Sequence, residues 1–178
     1  AAVNFLISRR ALTGDPRDRL IRDLTVGLTS LGGTRFQSAD LTRTQFSRAV
    51  VKSAHFRNAA LNQTCFHLTK NLHLSRVYNT ILTNRTVLNL LVSLRPEPNK
   101  SYVGLDFKGA YLAHPADFSD TNFTEADFSG ATLAGANLQR TNLTKVQALG
   151  TNFHQTNLTA ACIEAWNIDS ATQLSDAI

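Results

Sequence analysis

An apolar residue recurs at every fifth position along most of this 178-residue chain. A first series of such centres runs from Phe36 to Phe66 and continues, after a shift of one residue, from Leu72 to Val87. A second series runs from Phe107 to Ile168, with one extra residue near Pro115. An α-helix repeats near every 3.6 residues and a plain strand near every 2, so neither accounts for this period.

A period of five predicts a short extended segment followed by a corner in every unit. The centre and the residue two positions before it lie on the same side of that segment, so both are expected to point inward. The earlier one is usually Ala, Ser or Thr, which indicates little space near the corner. The Asp or Asn between them is expected to point outward and to hydrogen-bond the backbone of the turn. Four such segments would close a coil of about 20 residues, stacked about 4.8 Å apart, although the sequence does not prove that number.

The units resemble those of the pentapeptide-repeat family, as in Ala-Asp-Phe-Ser-Asp at 116–120. This resemblance implies an all-β solenoid, a right-handed quadrilateral β-helix. The segments 10–15, 31–36 and 160–168 resemble more narrowly a cyanobacterial branch, in which a Gly-rich membrane-spanning region often precedes the repeats. The chain contains no Met, so we expect a processed product or a fragment of a longer membrane-associated protein.

The pattern divides the chain into five parts of one continuous solenoid. These are an N-terminal segment with a capping helix (1–33), a first repeat block (34–89), an insertion (90–104), a second repeat block (105–170) and a tail (171–178). Asp15-Pro16 has the form of a helix start, and apolar residues at helical spacing follow it, which predicts a helix from about 16 to 31. The simplest interpretation is a cap on the first coil, and the alternative is a helix that binds a partner or lipid.

The insertion interrupts the period between Val87 and Phe107. Residues 88–94 are mostly apolar, and 95–100 are polar and rich in turn formers, so a short helix followed by a loop is predicted. Two interpretations remain open. The insertion either offers a docking site on the surface or only bridges the two repeat blocks.

The charge is distributed unevenly. Residues 1–103 carry 15 Lys and Arg against 5 Asp and Glu, whereas residues 104–178 carry 3 against 8. A basic half is compatible with nucleic acid, an acidic lipid surface or an acidic protein partner. We predict an interaction surface that includes these basic residues: Arg9, Arg10, Arg17, Arg22, Arg35, Arg43, Arg48, Arg95 and Lys100.

No motif for catalysis or for cofactor or metal binding is present in the sequence. The five His residues lack the spacing of a zinc site, and no Gly-x-Ser-x-Gly or Gly-rich phosphate loop occurs. Cys65 and Cys162 are expected to lie about 19 Å apart along the solenoid axis and to form no disulfide with each other. We therefore expect no catalytic residue, no cofactor and no small-molecule substrate.

The expected function is that of a non-enzymatic, rigid protein–protein interaction scaffold within a larger membrane-associated cyanobacterial assembly, with unidentified protein partners. The expected location is the cytoplasmic side of a thylakoid or plasma membrane, or the cytoplasm. The alternative is a basic nucleic-acid-binding module, in which Arg19, Lys52 and Arg57 would also take part. The aromatic residues mostly occupy centres, so no platform for base stacking is predicted. The family members that protect gyrase resemble DNA as acidic rods, and the isoelectric point near 9.6 departs from that pattern.

Overall fold

The computed structural model describes residues 33–178, and the predicted capping helix at 16–31 lies outside them. Parallel backbone bridges join residues 20 positions apart, as in Arg35 with His55 and Asn122 with Asn142. Because each unit has five residues, this register gives each coil four sides. Where one extra residue enters, the spacing becomes 21, as in Asp106 with Asp127.

The four sides of the solenoid are named here by their centres, in chain order. Face A contains Phe36, Phe56, Val77, Tyr102 and Phe123; face B contains Leu41, Leu61, Phe107 and Phe128; face C contains Phe46, Phe66, Leu112 and Leu133; face D contains Val51, Leu72, Phe118 and Leu138. Face B is continuous between the blocks at its corner, because the Gln63 amide donates to the Gly109 carbonyl and the Gln63 side chain donates to the Gly130 carbonyl at 3.2 Å.

The centres form one apolar core that passes through both blocks. Phenylalanine rings on the same face stack from coil to coil, with centroids 5.5 Å apart for Phe46 and Phe66 and 5.1 Å apart for Phe107 and Phe128. Packing of this kind stabilises a solenoid through contacts between neighbouring coils.

Where the inward-pointing residue two positions before a centre is Thr, it has a polar role as well as a small size. The hydroxyl group of Thr64 donates to the Leu41 carbonyl at 2.8 Å, and that of Thr151 donates to the Phe128 carbonyl at 2.8 Å. Each hydroxyl therefore binds the backbone of the coil before it, which satisfies its hydrogen-bonding capacity inside an apolar core.

The corners follow from two features of the repeat. The second residue after the centre has a left-handed backbone, with φ of 59° at Arg43 and 69° at Gly130. The outward Asp or Asn accepts a hydrogen bond from the backbone amide two residues later, as Asp40 does from Thr42 at 2.9 Å. The predicted turn bonds are thereby confirmed. The same bond occurs at Asp106, Asp117, Asn122, Asp127, Asn137, Asn142, Asn152 and Asn157.

The first block ends earlier than the sequence predicts. Residues Ile81–Thr83 form a 3₁₀ turn and Arg85–Ser93 form a helix, α1, so Leu82 and Val87 are buried in helical segments and not on sides of a coil. The Asn84 side chain accepts from the amides of Thr86 and Val87 and caps α1. The helix starts before residue 90, because the apolar residues from Val87 onward already follow helical spacing.

A loop leads from α1 to the second block. The amide of Asp117 donates to the Leu94 carbonyl at 3.0 Å, so the end of α1 pairs with face D of the next coil. The amide of Glu97 donates to the Tyr102 hydroxyl at 2.8 Å, and Asn89 donates to Glu97 at 2.7 Å. A second 3₁₀ turn, Leu72–Leu74, occupies the one-residue shift in the first block.

Residues 171–178, assigned to a tail by the sequence pattern, continue the coil. Gln173 bridges to Asn152, and the Leu158 amide donates to the Ile178 carbonyl at 2.6 Å. One extra residue between Ile168 and Leu174 breaks the period of five, so the sequence pattern does not show that residues 171–178 form a further unit of the coil. Ile168 itself is 46% exposed, because it lies on the last described coil.

Candidate interaction surface

The structure separates the basic residues that the sequence groups together. Arg35 lies in the middle of face A, Arg43 at the corner between faces B and C, and Arg48 at the corner between faces C and D. All three are exposed. Arg9, Arg10, Arg17 and Arg22 lie outside the described residues.

Arg95 and Lys100 lie in the loop after α1, next to acidic side chains. Both line an open groove of about 540 Å³, together with Glu97, Asp117 and Asp120. Hydrogen bonds from Ser119 lower the pKa of Asp117 most, and the charge of Arg95 lowers it further. The positive charge in this loop therefore faces negative charge within the same groove.

A second group of exposed basic side chains lies on faces D and A of the first block. We call it the basic surface, and it comprises Arg35, Lys52, Arg57 and Lys70. All four side chains are exposed, and none has an ion pair among the residues that the structure describes. Val50 bridges to Lys70 in the coil above it, so the surface extends over successive coils.

Lys70 is the member that sequence reasoning missed. It precedes the one-residue shift in the repeat, where the period alone does not show whether a side chain points inward or outward. The bridge between Val50 and Lys70 settles the register and places Lys70 in an outward position. A search for basic residues immediately before a one-residue shift in the repeat would have found Lys70.

The second block neutralises its own basic residues. Each pairs with an acidic side chain in a neighbouring coil: Lys108 with Asp127 at 3.0 Å, Arg140 with Asp120 at 2.6 Å and Lys145 with Glu125 at 3.6 Å. The hydrogen bond from Arg140 lowers the pKa of Asp120. Between residues 33 and 80, by contrast, Asp40 is the single acidic residue. The two blocks therefore present opposite charge to solvent.

The reactive side chains do not assemble into a site within residues 33–178. No group of three or more His, Cys, Asp or Glu side chains there could hold a metal ion. Cys65 is buried on face C, and Cys162 is exposed on face A, the opposite side; neither forms a disulfide. A hydrogen bond from the Thr144 hydroxyl group lowers the pKa of Cys162. None of the described helices has both the length and the apolar character needed to cross a membrane.

These observations define a class of protein: a four-sided β-solenoid of five-residue units with charged outer faces. The family model for pentapeptide repeats matches eight copies in the chain, over residues 29–67, 114–147 and 121–159. The chain belongs to the pentapeptide-repeat family, whose fold is the right-handed quadrilateral β-helix.

Several solved structures resemble the chain. Rfr23, a pentapeptide-repeat protein from the cyanobacterium Cyanothece, is 18% identical over 72% of this chain and 63% of its own, with a TM-score of 0.25. QnrB1, a plasmid-mediated fluoroquinolone resistance protein, is 21% identical over 81% of this chain and 73% of its own, with a TM-score of 0.32. HetL, involved in heterocyst differentiation regulation in the cyanobacterium Nostoc, is 18% identical over 80% of this chain and 58% of its own, with a TM-score of 0.22.

The chain spans less than two thirds of the length of Rfr23 and of HetL. No curated protein sequence matches it significantly. The family assignment therefore rests on the repeat itself and on the four-sided coils.

Proposed function

We propose that the chain is a non-enzymatic, rigid scaffold for protein–protein interaction, and that its basic surface binds an acidic partner. The observation that carries this proposal is the contrast in charge pairing between the blocks. Arg35, Lys52, Arg57 and Lys70 are exposed without an ion pair within the described residues, whereas the three basic residues of the second block are paired.

The β-helix suits this function because it fixes the spacing of outward side chains. Residues that occupy the same position in successive coils lie about 4.8 Å apart, since their backbones are bridged. Charges held in this way lose little further freedom on binding, and charge complementarity speeds the encounter of two proteins. We therefore expect binding to weaken as salt is added, because the Debye length is about 10 Å at 0.1 M ionic strength.

The finer proposal places the scaffold in a larger membrane-associated cyanobacterial assembly, at the cytoplasmic side of a thylakoid or plasma membrane. It is supported by the sequence, in which Arg9 and Arg10 follow the apolar segment 5–7. Basic residues at such a place favour the cytoplasmic side of a membrane and an anionic leaflet. An anionic lipid surface would then lie next to the basic surface of the first block.

The test compares three anionic probes with the full chain. Binding to immobilised polyglutamate, to duplex DNA and to vesicles with or without phosphatidylglycerol is measured at low and at physiological salt. The proposal predicts salt-sensitive binding to polyglutamate. Absence of such binding at low salt would contradict it, and equal, negligible flotation with both vesicle types would contradict the membrane-surface version.

The nucleic-acid alternative makes a different prediction in the same experiment. Phosphate contacts give a steep linear fall of log affinity with log salt, with a slope near −0.9 per phosphate contacted. Duplex DNA would then bind more tightly than polyglutamate. Against this alternative, the phenylalanine side chains at the centres of coils, such as Phe56 and Phe66, are buried and offer no stacking surface for bases.

A further inference from the structure

Two exposed apolar side chains lie in neighbouring coils of the first block, at positions where most units have a polar residue or glycine. Val50 is 67% exposed and Leu68 is 45% exposed. Val50 occupies the outward position of its unit, which Asp40 and Asn122 occupy in theirs. Each of those two side chains accepts from the backbone amide two residues later, and valine has no acceptor for such a bond. The unit at Val50 therefore lacks a turn bond that the repeat normally forms.

Leu68 departs from the repeat in its backbone. Its φ is 58°, and a side chain as bulky as leucine is unfavourable in the left-handed region. Other corners carry residues such as Gly130 or Gln155 at this position. Leu94 has a similar backbone, but its side chain is buried in the core, whereas that of Leu68 is exposed. Two neighbouring exceptions that add little to the core are typical of a functional surface.

Backbone hydrogen bonds place these two apolar residues among basic ones. The Arg48 amide donates to the His67 carbonyl at 3.0 Å, so Leu68 lies beside Arg48 in the following coil. Val50 bridges to Lys70 across the same two coils. Apolar and basic side chains therefore alternate along each coil and between the coils. A further basic residue follows two positions after Val50. We call these five residues the mixed patch: Arg48, Val50, Lys52, Leu68 and Lys70.

The mixed patch contains no acidic side chain. Its three basic residues are exposed, and none has an ion pair within residues 33–178. Asp40, the single acidic residue between positions 33 and 80, lies on face B, whereas the patch occupies face D and its corner with face C. The patch shares Lys52 and Lys70 with the basic surface, so it is the place where that surface also offers apolar contacts.

We propose that the mixed patch binds an acidic segment of a partner protein in which an apolar side chain lies between two carboxylates. This inference rests on the proposed function and specifies the chemistry of the partner. Arg48, Val50 and Lys52 follow one another at every second residue. An extended segment presents its alternate side chains about 6.8 Å apart on one face, so Glu-x-Leu-x-Glu offers the complementary order. Its carboxylates pair with the basic side chains, and its leucine covers Val50 and Leu68.

The lengths of the side chains favour a protein segment over a bilayer or a nucleic acid. Lysine and arginine extend further from the backbone than valine, so the Val50 side chain lies lower than the charged groups around it. An apolar side chain of a partner can reach Val50 between its own carboxylates. The phosphates of a duplex would pair with the basic groups but would give Val50 no apolar contact. The headgroups of an anionic bilayer would meet the ammonium groups before the acyl chains reached Val50.

The test titrates the ¹⁵N-labelled full chain at low salt with two peptides of equal charge. They are acetyl-Glu-Glu-Leu-Leu-Glu-Glu-amide and acetyl-Glu-Glu-Ser-Ser-Glu-Glu-amide. The leucine peptide should shift the Val50, Leu68 and Lys70 amide signals and bind about tenfold more tightly, because apolar burial adds to the same charge pairing. Equal affinity of the two peptides would overturn this inference and leave the proposed function standing. Absence of polyglutamate binding, measured in parallel, would contradict the proposed function and this inference with it.

A double substitution separates the apolar contacts from the charge. Val50→Asn supplies an acceptor for the Lys52 amide, and Leu68→Asn introduces a residue that tolerates a left-handed backbone. The double variant should therefore fold, bind polyglutamate as the wild type does and lose its preference for the leucine peptide. The control Leu149→Asn, at a 38% exposed leucine of the second block, should keep that preference.

Two results with these variants would overturn the inference. The first is a preference for the leucine peptide that survives the double substitution, because the apolar contacts would then lie elsewhere. The second is equal affinity for the two peptides together with flotation on phosphatidylglycerol vesicles that only the double variant loses. That result would assign the mixed patch to a bilayer.

Discussion

At the scale of the residue, the repeat uses small inward side chains for more than their size. Several serines and threonines there donate to a carbonyl in the coil before, as Ser75 does to Val51 at 2.6 Å, whereas Thr141 donates to Leu138 within its own coil. Trp166 occupies the same position near the end of the solenoid, and its indole nitrogen donates to the Leu143 carbonyl at 2.8 Å. Its ring stacks on Phe153 with centroids 5.0 Å apart. This one side chain therefore donates to the backbone of the coil before it and also packs against the apolar core.

The hydroxyl bond can be tested by Thr151→Val, which keeps the shape of the side chain and removes the donor to Phe128. The free energy of unfolding should fall by about 1 kcal/mol in urea titrations. The control is Thr34→Val, at an exposed position in the first described coil where the hydroxyl group forms no hydrogen bond within the described residues, which should stay within about 0.5 kcal/mol of the wild type. If both variants had the same stability, the inward hydroxyl would have no stabilising role.

The phase of the repeat can be tested at Phe128, which is fully buried between Phe107 and Phe123. Phe128→Ala should lower the free energy of unfolding by about 3 to 5 kcal/mol, because it removes a large side chain and leaves a cavity. Gln139→Ala changes an outward side chain on face D and should cost far less. A loss below about 1 kcal/mol at Phe128 would contradict the assignment of centres to the core.

At the scale of the element, the interruption of the solenoid depends on a local helix signal. Asn84 caps α1 through hydrogen bonds from Thr86 at 2.9 Å and Val87 at 3.3 Å. The apolar face of α1, which includes Leu88, Leu90 and Leu91, joins the solenoid core. The helix therefore replaces part of one coil without breaking the apolar column.

Removal of the cap should destabilise α1. Asn84→Ala should lower the free energy of unfolding by about 1 kcal/mol, whereas Asn84→Ser, which keeps an acceptor at the N-cap, should cost less. Urea titrations followed by circular dichroism would measure both. Equal losses in the two variants would contradict the capping role.

His73 gives the junction between α1 and the first block a dependence on pH. It lies in the 3₁₀ turn Leu72–Leu74 and lines a groove with Leu88 and Glu97. Burial lowers the pKa of His73 most, and the nearby charge of Arg85 lowers it further. The folded protein therefore binds fewer protons than the unfolded chain just below the ordinary histidine pKa of about 6.5.

The sign of the effect follows from linkage. The contribution of neutral His73 is fully present above pH about 6.5 and is lost as the pH falls through the lowered pKa. The urea midpoint of the wild type should therefore drop between pH 7 and pH 5, and His73→Gln should drop less. The same decrease in both proteins would show that His73 does not contribute.

At the scale of the whole molecule, sequence and structure agree where the repeat is regular. The centres, the outward Asp and Asn and the small inward residues follow from a period of five, because each unit has the same environment. Local competition explains the differences. Leu82 and Val87 fit the period of five, but they also belong to an apolar run at helical spacing that follows the N-cap Asn84, and the helix prevails there.

The candidate surfaces were less accessible to sequence reasoning. Positive charge in the first half was visible from composition, but Arg43 and Arg48 lie at corners on other sides than Arg35, and only the register shows this. The single extra residue before Gln173 prevents the sequence pattern from showing that the last unit pairs with the coil that contains Asn152.

The proposed interaction role itself can be tested most directly by comparing two double substitutions that remove the same charge. Lys52→Gln with Lys70→Gln depletes the basic surface, whereas Lys108→Gln with Lys145→Gln removes lysines that are already paired with acids. With polyglutamate at low salt, we expect the first variant to lose most of its affinity and the second to keep or increase it. Equal affinity of the two variants would contradict a specific basic surface on faces D and A.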